Sequence, residues 1–104
     1  MCAASVAARL VLTLEVKQDI TEVYTWYENQ RIGLGEEFLV SVEASLEAIR
    51  RFPELRAPVH ENYRRAMVRR FPYCIFYEFE TSTVTVFSVI HTARDPAKWR
   101  ARLP

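Results

Sequence analysis

Four arginines, Arg64, Arg65, Arg69 and Arg70, crowd the first half of the stretch YRRAMVRRFPYCIFYEFE, and no acid lies among them. A guanidinium is a permanent cation whose planar fork matches carboxylate and phosphate oxygens. The segment is therefore suited to receiving an anion. Past the last apolar run stand His91, which exchanges protons near neutral pH, and Arg94. Other chemistries find little support. The two histidines, His60 and His91, are too far apart in the chain to suggest a metal site. No glycine-rich phosphate loop occurs, and no cysteine–histidine–acid pattern surrounds Cys74. Cys2 and Cys74 have neither a CxxC spacing nor a framework pattern, so both are read as free thiols of a reducing compartment. Cationic neighbours are expected to lower the Cys74 pKa, although the residue fits a small apolar filler better than a nucleophile.

The arginines contrast with a formal net charge of only +1 over 104 residues. From Glu15 to Glu47 eight acids face two bases, and from Ala48 to Pro104 eleven bases face five acids. The basic half is expected to meet an anionic partner. A structural role competes with that reading: Arg64 and Arg70 pairing with the acidic half, Arg94 pairing with Asp95, and His91 holding a strand end. The apolar run CAASVAARLVLTL is broken by Arg9, is too short to span a bilayer and has no basic region ahead of it. The expectation is a protein of the cytoplasm, with no membrane partner.

The elements that must place these residues follow from periodicity. ARLVLT suits a strand, and Thr13 can cap a helix whose first turn carries Glu15. Val16, Ile20, Val23, Tyr24 and Tyr27 share one helical face, with Gly33 as the stop. Phe38, Val42, Leu46 and Ile49 repeat the pattern until Pro53, and the short connection predicts an antiparallel helix hairpin. PELRAPVHEN reads as a loop. After it the period falls to 2. From Tyr63 to Arg70, Ala66 and Val68 point one way and Arg65, Met67 and Arg69 the other. Tyr73, Ile75, Tyr77 and Phe79 share a face of the next strand, with Cys74, Phe76, Glu78 and Glu80 opposite. VTVFSVIH is apolar on both sides, so it belongs inside the sheet. Asp95 and Pro96 start a last helix, PAKWRARL. The fold expected is α+β, in the order β-α-α-β-β-β-α: a helix hairpin on one face of a mostly antiparallel four-stranded sheet. It forms one domain over 1–104, with 1–7 as a loose extension. The opposite face is expected to be partly open and to carry Arg65, Met67, Arg69, Cys74 and Phe76.

WYENQRIGLGEEF, RRFPYCIFYEFE and HTARDPAKW, in this order and at these distances, resemble the RelE/ParE toxins of type II toxin–antitoxin systems, also described as plasmid stabilisation proteins. The resemblance covers nearly the whole chain, from about Arg9 to Arg102. It implies a growth-inhibiting toxin without a cofactor or metal, silenced in a hetero-oligomer by a cognate antitoxin that wraps a tail around it. ParE-like members inhibit DNA gyrase; RelE-like members cleave messenger RNA on the ribosome. For cleavage, Arg65, Arg69, His91 and Arg94 are the candidates for phosphate stabilisation and proton transfer. For antitoxin binding, the candidates are Arg65, Met67, Arg69, Cys74 and Phe76. The chain departs from the cleaving pattern at Cys74, where that branch often has an arginine, at Met67, and at Lys98, where some members have a tyrosine. Gyrase inhibition is accordingly the preferred expectation, and ribosome-dependent mRNA cleavage the alternative.

Overall fold

A computed structural model describes residues 8–92. Its elements are β1 (Arg9–Leu12), α1 (Leu14–Gln30), α2 (Leu34–Arg51), β2 (Pro58–His60), β3 (Tyr63–Met67), β4 (Tyr73–Glu80) and β5 (Thr83–His91). The sheet order is β1-β5-β4-β3-β2, with β1 parallel to β5 and the other neighbours antiparallel. The α+β class and the interior place of β5 match expectation. The sheet has five strands, not four, because β2 lies inside the segment read as a loop. It is three residues long and begins at a proline, which an edge strand tolerates. The extension 1–7 and the last helix, with Asp95 and Pro96, lie outside the described residues.

Thr13 caps α1, its hydroxyl accepting from the Val16 amide at 3.2 Å. Val16, Ile20, Val23 and Tyr27 turn toward the core, as do Phe38, Val42, Leu46 and Ile49 of α2. The hairpin turn works differently from the sequence reading. Arg31, not Gly33, ends α1, and Gly33 begins α2 in the left-handed region at φ 91°. That conformation costs glycine little, but glycine brings no capping side chain. The Glu28 carboxylate supplies the cap from α1, accepting from the Gly33 amide at 3.2 and 3.0 Å and from the Gly35 amide at 3.0 Å. Anionic acceptors at a helix N-terminus satisfy its free amides and oppose its dipole. Glu28→Ala is expected to lower stability by about 1–2 kcal/mol, the size of a lost cap. Urea unfolding followed by helix circular dichroism measures it, and an unchanged midpoint would show that the carboxylate is dispensable.

Under the helices the core gathers Phe38, Ile49, Ile75, Tyr77, Val84 and Val86, each no more than 1% exposed. The β4 alternation holds: Tyr73, Ile75, Tyr77 and Phe79 join this cluster, while Cys74 and Phe76 form a second one with Ile90. The Tyr77 hydroxyl donates to the Pro53 carbonyl at 2.9 Å and fixes the α2–β2 connection.

Candidate functional site

Residues directly opposite across an antiparallel pair share a sheet face. Arg65 faces Phe76, which faces Ser88; Met67 faces Cys74, which faces Ile90. The register thus brings Arg65, Met67, Cys74 and Phe76 together on the face away from the helices, as the period-2 pattern predicts. The face is less open than expected. Cys74 and Phe76 are 4% and 3% exposed, and only Met67, at 52%, and the exposed Arg65 stand clear. Cys74 and Phe76 form a floor, with a cation and a thioether above it. Ser88 belongs to the same row; it is fully buried, and its Oγ has no hydrogen-bond partner among the described residues. Burial pushes the Cys74 thiol above its ordinary pKa, and the nearby Arg65 charge only partly opposes this. The lowered pKa expected from its cationic neighbours is therefore not found. The thiol instead lies 3.5 Å from the Met67 Sδ.

The other arginines have separate roles. Arg64 alternates to the helix side, where it faces Tyr77. It donates to the carbonyl of Arg56, and to that of Glu54 at 3.4 Å. It braces the α2–β2 connection and does not pair with helix acids as expected. Arg69 lies beyond the end of β3, in the turn, and not on the strand face where the alternation put it. Arg70 bends that turn with φ 74° and lines a shallow hollow with Glu36 and Glu37. Among the described residues, the helix acids form ion pairs with helix or hairpin bases: Glu37 with Arg31 at 3.2 Å, and Glu47 with Arg50. Arg65 is left facing outward.

His91 goes to the opposite side. It faces Tyr73 across the β4–β5 pair, with the rings edge to face at 5.2 Å, and Tyr73 packs on the helix-side core. The cause is a register shift between the Phe76–Ser88 and Tyr77–Val86 pairs, where β5 holds one extra residue, Phe87. A bulge reverses which side chains point which way. Strict alternation from Val84 and Val86 would put Ser88 in the core; the bulge puts Val89 there, and carries His91 with it. The apolar Val89 following Ser88 was the available sequence signal. Arg65 and His91 are consequently not brought together, and Arg94 lies outside the described residues. Among the described residues, no group of three or more His, Cys, Asp or Glu could hold a metal, and no helix is long and apolar enough to cross a membrane.

A two-helix cover on a mixed sheet, with a cation and a thioether over a buried floor on the far face, defines a small α+β domain. The family model for the ParE toxin of the type II toxin–antitoxin system parDE matches residues 10–96, and the chain belongs to that family. It is thus the toxin component of a type II module, whose partner is a cognate antitoxin. A solved structure described as the chromosomal ParDE TA system from P. aeruginosa is similar at TM-score 0.72 and 10% identity. The match covers 82% of this chain and 96% of that one, and at this identity it bears on the fold alone. No curated protein matches the sequence.

Proposed function

We propose that this toxin acts in the cytoplasm by binding DNA gyrase and stopping supercoiling, with no bond-breaking chemistry of its own, and that its antitoxin silences it by covering the Arg65–Met67 face. The observation that carries the first part is the separation of Arg65 from His91. Cleavage of RNA at a phosphate needs charge stabilisation and proton transfer on one reacting group. Here the guanidinium and the imidazole belong to opposite faces of one sheet. Membership of the ParE family supports the same reading. For the antitoxin, the exposed Arg65 suits an acidic side chain, and Met67 suits an apolar one, because a thioether adapts to varied partners.

The test is supercoiling by purified gyrase with folded, antitoxin-free toxin added in rising amounts. Inhibition or trapped cleaved DNA is expected, and His91→Ala should inhibit within about twofold of wild type, since an acid–base residue would cost roughly 100-fold or more. Full supercoiling at a large molar excess, or arrest of a reconstituted translation system with cleaved message, would overturn the reading.

A further inference from the structure

The sheet edge beside the basic face is only half covered. The Val68 amide donates to the Tyr73 carbonyl at 2.9 Å, so the hydrogen-bonded pairs of the β3–β4 ladder fall at Val68, Ala66 and Arg64. The amides and carbonyls of Arg65 and Met67, one step out of phase, therefore point away from β4. On that side β2 pairs with Tyr63 and Arg64 alone, and among the described residues no strand stands opposite Arg65 and Met67. Two features keep the line clear. Pro58 begins β2 and has no amide with which to continue a ladder. The Arg64 guanidinium donates to the Arg56 and Glu54 carbonyls and so ties back the chain ahead of β2. The Met67 carbonyl accepts from the Ser45 hydroxyl at 3.4 Å, which leaves the Arg65 amide, the Arg65 carbonyl and the Met67 amide to be met. Such groups on a strand edge are a template for another strand.

We propose that this half-edge takes an extended, acidic segment of the antitoxin as an added strand that continues the line of β2. In such binding the main chain supplies affinity and the side chains supply the choice of partner. Arg65, Arg69 and Arg70 take part in none of the ion pairs among the described residues. An acidic residue placed opposite Arg65, or further along beside Arg69, is attracted across the ladder. A second copy of this chain would bring the same arginines against one another, so the charges select against self-pairing. A phosphate backbone offers acceptors only and cannot meet the Arg65 carbonyl. The inference rests on the antitoxin seat proposed above and extends it: the added strand lies along the rim of the Arg65–Met67 face, and its alternate side chains reach over that face.

The experiment follows amide hydrogen exchange residue by residue, by NMR, in the full toxin alone and with the antitoxin encoded beside it, and measures the affinity of that pair for wild type and Arg65→Glu. In the free toxin the Arg65 and Met67 amides are expected to exchange at least about tenfold faster than those of Ala66 and Val68, which the β4 ladder holds. In the complex both should slow by about 100-fold or more, and a set of alternate antitoxin amides should slow with them. Unchanged exchange at Arg65 and Met67 in a complex that Arg65→Glu weakens would overturn the added strand and leave the basic-face seat standing. Wild-type affinity in a folded Arg65→Glu variant would remove the seat, and this inference with it. Slow exchange of both amides in the free toxin at every concentration would mean that the edge is filled from within the chain. Slowing that grows with toxin concentration, without antitoxin, would assign the edge to a second copy. Either result would overturn the proposal.

Discussion

Phe38→Ala is expected to remove about 3–5 kcal/mol of folding stability, the cost of truncating a fully buried phenylalanine. Phe38 is 0% exposed and sits within 5.3–5.5 Å, centroid to centroid, of Tyr27, Phe71 and Tyr73. The four rings join α1, α2, the β3–β4 turn and β4. Their edge-to-face and tilted contacts add to the area they bury. A domain of this size commonly has about 5–15 kcal/mol in all, so the variant should be partly unfolded at 37 °C. Chemical unfolding at 25 °C should show a lower midpoint with an unchanged slope. Antitoxin binding should restore part of the loss by mass action. Phe38→Leu separates packing from aromatic contact: a loss of about 1–1.5 kcal/mol would place most of the effect in filled volume. A loss below about 1 kcal/mol for Phe38→Ala would mean that the surrounding rings close over the cavity, and that this cluster does not hold the layers together.

That cluster also marks what could be read without coordinates. Phe38, Val42, Leu46 and Ile49 repeat at helical spacing, and Ile75, Tyr77 and Phe79 alternate against Cys74 and Phe76; burial follows both patterns. Periodicity records one-sided burial, and these elements are buried on one side or sorted between two clusters. It fails where geometry interrupts the period. The β5 bulge is one inserted residue, and it moved His91 to the other face. Arg69 left its expected row because β3 stops at Met67 and a left-handed Arg70 redirects the chain. β2 escaped because its three residues carry a proline and no alternation. The Glu28 cap was hidden because its acceptor and donors belong to different helices, five and seven residues apart. Of the candidate site, the grouping of Arg65, Met67, Cys74 and Phe76 was legible. The depth of Cys74 and Phe76 was not, since alternation assigns a face and does not say how far that face is covered.

Among the four arginines, Arg65→Glu is expected to have the largest effect on antitoxin binding, about 100-fold weaker at low salt. Arg65 is exposed at the middle of β3, next to Met67 and above the Phe76 floor. A carboxylate that docks there is held against a sheet and partly removed from water, where a charge counts for more than on an open surface. Reversal replaces attraction by repulsion at the same point, slowing association and speeding dissociation. The deficit should shrink as salt rises from about 0.05 to 0.5 M, because screening weakens both. Arg69→Glu should cost less, about tenfold or below, since the turn carries it off the strand face. Arg64→Glu should act by another route. It breaks the bonds to the Glu54 and Arg56 carbonyls and sets a carboxylate against them, so the free toxin itself should lose stability. Titration calorimetry with the antitoxin at two salt concentrations, paired with thermal unfolding of each free variant, separates the three. If Arg65→Glu binds as wild type at both salts while remaining folded, the antitoxin does not use this face.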